Sequence, residues 1–306
     1  MAGKKSQLRI GGKTVPVSNL EKVFYPASGF TKADVVDYYI RIAPVLLPHL
    51  KGRSLTLKRY PDGVEGGFFY EKECPGHRPG WIKTNSVFSK KKEAEIHHCM
   101  IEDVASLVWA ANLADLELHT FLWRGRDTET PTMLVFDLDP GPPAGILDCA
   151  EAALRIRKLL GRMGLELFPK TSGSKGLQVY LPLNSKVSFD RSGPFAKSVA
   201  QYLERETPKQ IVSKMTKSLR KGKVFVDWSQ NDAHKTTVCV YSLRAKERPT
   251  VSTPLRWSEV EAAHKKGDPE RLVFDSKEVC RRAKKMGDLF APVLKIKQKL
   301  PRAFET

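Results

Sequence analysis

The segment MLVFDLDPG, residues 133–141, constrains this chain more than any other. Four apolar residues in a row, Met133 to Phe136, predict a short strand buried on both faces, because a half-exposed strand would alternate. The run ends in Asp137, Leu138 and Asp139, then turns at Pro140–Gly141. Strand side chains alternate, so the two carboxylates point the same way, about 6.5–7 Å apart along the chain. Two such charges repel unless a cation sits between them. Hard divalent ions such as Mg²⁺ or Mn²⁺ favour these oxygen ligands. A solvated acid pair at a strand-to-turn edge satisfies the same pattern, and D-x-D alone does not separate the two readings.

A second strand changes the balance. KVFVDWSQN, residues 223–231, also carries an apolar run ending in an acid, Asp227. Three carboxylates at neighbouring strand ends suit two ions about 3.5–4 Å apart, the arrangement of phosphoryl and nucleotidyl transfer. Between these strands lies KTSGSKGLQVYLPL, with Ser172, Gly173, Ser174, Lys175 and Gly176 opening a strand. Glycines let backbone N–H groups approach phosphate, and Ser and Lys add donors. The loop lacks the G-x-x-x-x-G-K-[ST] pattern of a P-loop, and an ordinary polar hairpin loop would look the same.

The remaining pattern is mixed. Thr31 is expected to cap a helix with Asp34 three residues on, a capping box with Asp in place of Glu. Val35, Tyr38, Tyr39 and Ile42 then form one apolar face. Helices are also expected over Ile101–Leu113, over Leu147–Met163 with Gly164 as stop, near 193–205 and over 258–266. Strands are expected at 54–58, 177–183, 223–228 and 236–244, and GGFFYEK follows a turn at Pro61–Gly63. The class is α/β, mixed α+β, with central sheets flanked by helices. No internal repeat or low-complexity linker appears, so one catalytic domain over 1–306 is expected, with 1–14 as a loose end.

Composition narrows the partner. Lys and Arg number 52 against 34 Asp and Glu, a formal net charge of +18 on a chain that is 41% hydrophobic. Such a foldable, basic chain points to a polyanion, either nucleic acid or an anionic membrane. The start, MAGKKSQLRIGG, has no apolar run of the secretory kind. Ile42–Leu50 is interrupted by Pro44 and Pro48, so no spanning helix is expected, and no basic amphipathic helix with an aromatic face stands out. The five cysteines are scattered without a C-x-x-C, which argues against a disulfide framework and suits a reducing, cytoplasmic setting. Cys74, His77, His97, His98 and Cys99 fit no standard zinc spacing, and strand-edge packing is expected instead.

In this order, SNLEKVFYPASGFTKAD, LTLKRYPDGVEGGFFYEK, GWIKT, LELHT, LVFDLDPG, TSGSKGL, VFVDWSQN, VYSLRA and VSTPLRW resemble the polymerase domain of bacterial DNA ligase D, a branch of the archaeo-eukaryotic primase superfamily. The resemblance runs from about Val17 to the LP near the C-terminus. It implies a primase-polymerase core and template-directed nucleotidyl transfer with two metal ions, usually Mn²⁺, otherwise Mg²⁺. It implies NTP or dNTP substrates with a readiness for ribonucleotides, and a role in end joining and short-gap filling. The expected partner is gapped or broken double-stranded DNA with a 5′-phosphate. A separate ligase and end-binding repair proteins are further expected partners of a stand-alone, monomeric, nucleoid-associated bacterial protein.

Carried over by position, the resemblance makes Asp137, Asp139 and Asp227 the metal-binding acids, with Asp227 also activating the primer hydroxyl. His119 lies near nucleotide and metals, although alone it reads as a core histidine. Lys58, Ser172, Lys175 and Arg244 fall near the triphosphate. Phe68 and Phe69 match the pair that meets the templating base, although alone FF reads as core. Asn19, Lys22 and Lys32 match the pocket for the downstream 5′-phosphate. Independently, Lys32 falls in the first turn of a capped helix, where free N–H groups and the dipole favour an anion. Two positions depart from the family: Gln178 stands where histidine is usual, and Gln230 where arginine is common, WSQN resembling the actinobacterial type. Both are counted with the nucleotide-binding positions.

Two rivals remain at this point. Haloacid-dehalogenase phosphatases also follow an apolar run with D-x-D, but they want Thr or Val two residues on, where this chain has Gly141. A non-catalytic or weakly active binder of gapped or broken DNA would use the basic surface alone, and Gln178 favours it.

Overall fold

A computed structural model describes residues 5–89 and 92–301. In chain order its elements begin with β1 (Lys5–Ile10), β2 (Lys13–Ser18), β3 (Val23–Tyr25), β4 (Phe30–Thr31), α1 (Lys32–Leu50), β5 (Ser54–Arg59) and β6 (Phe69–Glu71). Then come β7 (Thr84–Ser89), β8 (Ala94–Met100), α2 (Val104–Asn112), β9 (Asp115–Phe121), β10 (Met133–Pro140), α3 (Ile146–Gly161) and β11 (Phe168–Thr171). The chain ends with β12 (Leu177–Pro182), α4 (Phe189–Glu206), β13 (Ile211–Val212), β14 (Val224–Asp227), β15 (Thr236–Val238), α5 (Trp257–Lys266) and α6 (Ser276–Met286). The mixed α/β class expected from the sequence is what forms.

Where one domain is expected, the chain divides into two compact units. The first comprises Met1–Arg126, Thr236–Ser252 and Asp275–Asp288; the second comprises Asp127–Lys235, Thr253–Phe274 and Leu289–Thr306. The chain passes from one to the other without a Gly- or Ser-rich linker, so composition carries no sign of the division.

In the first unit a sheet of order β15-β9-β5-β8-β7, with β6 on β5, is antiparallel throughout. Thr31 caps α1 as expected, with a reciprocal Thr31–Asp34 capping box. Val35, Tyr38, Tyr39 and Ile42 are all buried. The helix also runs through Pro44 and Pro48 to Leu50, past the break expected there. An interior proline costs about 3 kcal/mol. Burial of Ala43, Leu46 and Leu50, with the pairing of α1 and α2, offsets that cost. Among the described residues no helix is long and apolar enough to cross a membrane.

The loose end expected over 1–14 is a hairpin from Lys5 onward; residues 1–4 lie outside the described residues. Gly11 and Gly12, both at positive φ, make its turn, and Val15 and Val17 are buried. The expectation of no disulfide is corrected in one place: Cys74 and Cys99 are bonded, with Cα atoms 4.9 Å apart. They are 25 residues apart in sequence, and the Cys74 N–H bond to the His97 carbonyl on β8 brings them together. Cys149, Cys239 and Cys280 are free and buried. The strand expected over 236–244 stops at Val238, because Tyr241 takes a positive φ of 65° and turns the chain.

The second unit holds a sheet of order β11-β12-β10-β14-β13, antiparallel except for the parallel β13–β14 pair. Cys149, Ala153, Ile156 and Leu160 are buried along α3, which packs on β10 and β12. β10 pairs with β14 only from Asp137 to Pro140. Upstream, the Asn231 side chain takes over: its Oδ1 accepts from Val135 N and its Nδ2 donates to Val135 O, both at 2.8 Å. The Asn of WSQN is thus a substitute for a strand residue beside the acids.

Candidate active site

In the second unit Lys170, Gln178, Asp137 and Asp227 are direct cross-strand neighbours on β11, β12, β10 and β14. Directly paired residues share a face of a sheet, so these four form a transverse row. Asp139, two residues beyond Asp137, lies on that same face. The three predicted acids are therefore gathered on one surface, as β10 and β14 each end an apolar run at the same level.

Their electrostatics match the crowding. Burial, then Asp139 and Asp227, push the Asp137 carboxyl up to about 7, against a hydrogen bond from Gln178 and the charge of Lys170. Asp227 Oδ1 accepts from Ser229 N at 2.9 Å and from Ser229 Oγ at 2.6 Å, while Oδ2 accepts from Gln230 Nε2 at 3.0 Å. Gln230 is thus placed on the acid itself. A set of carboxylate oxygens, one of them protonated with unusual ease because of burial and its two acid neighbours, fits a hard divalent cation. Among the described residues no group of three or more His, Cys, Asp and Glu side chains closes into a metal cage. Of the residues weighed for zinc, Cys74 and Cys99 are bonded to each other and His97 lies 3.1 Å from Glu73.

Gln178 Oε1 accepts from Lys170 Nζ and from Tyr180 OH at 3.3 Å. It therefore bridges the buried Lys170 ammonium to Asp137. Lys170 was not foreseen; in PKT it looks like any solvated lysine, and only the sheet reveals it as 0% exposed.

The Ser172–Gly176 turn opens β12 as expected, with Gly173 at a φ of +68°. A Cβ on Gly176 would lie 2.0 Å from the Leu138 carbonyl oxygen, so only glycine lets the turn reach β10 between the two acids. The Ser172 hydroxyl accepts from Ser174 N and Gly176 N, both at 3.2 Å, and Ser172 N donates to Gly176 O at 2.9 Å. Those amides brace the turn rather than standing open for phosphate, while Lys175 is exposed beside them.

The first unit carries the remaining candidates. Lys58 Nζ lies 4.5 Å from the Phe68 ring centroid, 5.3 Å from that of Tyr60 and 5.7 Å from that of Tyr70. This aromatic enclosure favours a cation. Phe68 is 53% exposed and Phe69 43%, so the pair is not core. Phe69 lies under the Arg59 guanidinium, 5.1 Å from its centroid. His119 Nε2 and Arg244 Nε lie 3.1 Å and 3.3 Å from Glu117 Oε2. Burial, opposed by Glu117, holds the His119 pKa below the usual histidine value.

Asn19, Lys22 and Lys32 also come together. Asn19 adopts a positive φ of 53° and accepts from Lys22 N at 3.1 Å. Lys32 N and Ala33 N donate to Lys22 O and Leu20 O, each at 2.8 Å, and Asp34 N to Thr31 Oγ1 at 3.3 Å. The free helix-start amides expected for an anion are therefore already taken, and any anion there must be met by side chains. Lys22 Nζ donates to Asp62 Oδ1 at 2.8 Å. Lys32 is 5% exposed, and burial first, then Lys22 and Arg59, bring its pKa down to about 8. Arg59 is a third cation here, with no signal of its own in the sequence, where it directly follows Lys58.

Comparison with known proteins places this geometry. The chain is 44% identical over 283 residues to the multifunctional non-homologous end joining protein LigD of Mycolicibacterium smegmatis, covering 91% of this chain. It is 31% identical over 247 residues to the bifunctional protein of that kind from Bacillus subtilis, covering 80% of this chain. It spans 36% and 39% of the lengths of those relatives. The polymerase domain from Mycobacterium tuberculosis ligase D, solved in complex with DNA, superposes with a TM-score of 0.85 at 41% identity, over 92% of this chain and 98% of that one. The sequence model described as LigD, primase-polymerase domain, matches residues 31–290. That match takes in the acid row, the Ser172–Gly176 turn and the Lys58 enclosure together, and the chain belongs to the LigD primase-polymerase domain family.

Proposed function

We propose that the chain is a template-directed nucleotidyltransferase that fills short gaps or extends broken ends in DNA repair. It prefers ribonucleotides and a downstream 5′-phosphate, and works with two divalent ions, Mn²⁺ before Mg²⁺. The observation that supports this best is the direct cross-strand pairing of Asp137 with Asp227, with Asp139 on the same face. Phosphatases of the haloacid-dehalogenase kind share only the D-x-D, and family membership sets that reading aside. The names of the relatives point to non-homologous end joining.

In this reading a primer 3′-hydroxyl attacks the α-phosphorus of a nucleoside triphosphate and pyrophosphate leaves. Divalent ions held by Asp137, Asp139 and Asp227 would neutralise the triphosphate and acidify the attacking hydroxyl. Gln178 and Lys170 hold Asp137 in place, and Ser229 and Gln230 hold Asp227. Lys58, Lys175 and Arg244 bind phosphate oxygens. Phe68 and Phe69 offer exposed rings to a base, a contact worth about 1–3 kcal/mol. Lys22 and Lys32 take the 5′-phosphate, and other surface cations grip the backbone in a salt-sensitive way.

Primer extension on a gapped duplex tests this directly, with and without the 5′-phosphate, comparing Mn²⁺ with Mg²⁺ and NTP with dNTP. Templated addition of one or a few nucleotides, faster with the phosphate and with Mn²⁺, is the expected result. DNA binding without any extension under all these conditions would favour the non-catalytic reading instead.

A further inference from the structure

Glu117 lies in β9, is 1% exposed, and has no part in the chemistry above. Its Oε2 lies 3.2 Å from Lys58 Nζ, 3.3 Å from Arg244 Nε and 3.1 Å from His119 Nε2. Its Oε1 accepts from Tyr60 OH at 3.3 Å and from Ala245 N at 3.1 Å. These partners come from β5 and the residue after it, from β9 and from the segment after β15, so no local sequence pattern could hold them together. A carboxylate offers about four lone-pair sites, and the hydrogen bonds with Lys58, His119, Tyr60 and Ala245 occupy them, with Arg244 held beside them as an ion pair. Glu117 therefore has no capacity left for substrate. Burial disfavours its charge, but His119, Arg244 and Lys58 outweigh burial and hold its carboxyl below the usual range.

We infer that Glu117 is a positioning residue that aims Lys58, His119 and Arg244 at the polyphosphate of the incoming nucleotide. The inference rests on the polymerase reading above. Lys58 and Arg244 are flexible, mutually repelling cations, and a flexible pair loses much of its phosphate affinity to ordering. A shared buried carboxylate removes that repulsion and fixes both heads. The Tyr60, Phe68 and Tyr70 rings flank Lys58 as well and limit where its head can turn.

The sign of the effect separates this role from plain charge balance. Removing one negative charge beside the two cations Lys58 and Arg244 would tighten polyanion binding if charge balance were all. Loss of aim weakens it. The test compares wild type, Glu117→Gln and Glu117→Asp in calorimetric binding of inorganic tripolyphosphate and in steady-state extension, with thermal unfolding as a control. Glu117→Gln is expected to bind tripolyphosphate roughly tenfold more weakly and to raise KM for NTP by a similar factor, because hydrogen bonds to charged groups are lost. Its kcat is expected to stay within about twofold. Glu117→Asp, charged but one methylene shorter, is expected to recover part of the loss.

A folded Glu117→Gln protein that binds tripolyphosphate as tightly as wild type, or more tightly, overturns the inference. Stranding Lys58 risks misfolding; in that case Glu117→Gln is paired with Lys58→Met and compared with Lys58→Met alone. A further loss then supports the role, through Arg244 and His119, and no further loss overturns it. Wild-type protein that binds neither tripolyphosphate nor NTP sinks the polymerase reading itself, and this inference with it.

Discussion

Gln178 faces Asp137 across the β10–β12 ladder, hydrogen-bonding its carboxylate while accepting from Lys170. Gln178, where the resemblance leads one to expect histidine, thus bridges a buried cation and an acid of the proposed site. A neutral imidazole also has one donor and one acceptor nitrogen. Gln178→His is therefore expected to fold with stability close to wild type and to extend primers at least as well. Gln178→Leu keeps the volume but gives Lys170 and Asp137 no partner on that side. It is expected to lose about 1–3 kcal/mol in urea unfolding, and to extend more slowly than Gln178→His.

Asp137→Ala and Asp139→Ala remove the oxygens proposed to hold the metal ions without touching the basic surface. Each is expected to lower extension by at least about a hundredfold, the scale of losing a principal transition-state contact. DNA affinity, measured by fluorescence anisotropy on a gapped duplex, is expected to stay the same or rise slightly, because a repelling charge is gone. Normal extension by either variant would remove the acid row from the mechanism.

Much of this site is written in short-range pattern. The apolar runs before Asp137 and Asp227 place both acids at strand ends, and Thr31 with Asp34 places Lys32 at a helix start. What the pattern leaves out depends on pairing between distant segments. Glu117 in LELHT alternates with apolar neighbours like any strand residue, and only the register Lys58–Glu117 on β5 and β9 turns it into a hub. The Cys74–Cys99 bond depends on β8 in the same way. The Pro44 and Pro48 helix shows the reverse case, where burial overrides a strong local signal. The two-unit division leaves no trace at all, since each unit is closed by segments from late in the chain.

The pKa of Asp137 gives a stability prediction. An acid raised above its unfolded value contributes stability that is fully present below the unfolded pKa and lost as pH rises through the folded one. For Asp137 the window runs from the ordinary 3.8 up to about 7. Metal-free protein is therefore expected to lose stability as pH rises across that window, through the repulsion of the three carboxylates. A divalent ion competes with the proton for the same oxygens. Millimolar Mn²⁺ is expected to raise Tm more at about pH 8 than at about pH 5, and Asp137→Asn to shrink that difference. Equal Mn²⁺ shifts at both pH values would show that ion binding does not involve this carboxylate.

The proposed 5′-phosphate preference is expected to carry its own pH signature. Lys32 must be charged to hold phosphate, yet burial, Lys22 and Arg59 bring its pKa down to about 8. Free protein therefore loses that charge as pH rises through about 8, and phosphate binding above this point must take up a proton. The affinity ratio of 5′-phosphorylated to unphosphorylated gapped DNA is expected to fall between about pH 7 and about pH 9, by roughly tenfold, the worth of one charge-assisted contact. Lys32→Arg keeps its charge over this range and is expected to flatten the profile. Lys22→Ala with Lys32→Ala is expected to abolish the ratio at every pH. Because the first three α1 amides are already bonded to Lys22 O, Leu20 O and Thr31 Oγ1, they are not expected to rescue it. A ratio that persists in the double variant would place the phosphate elsewhere on the protein.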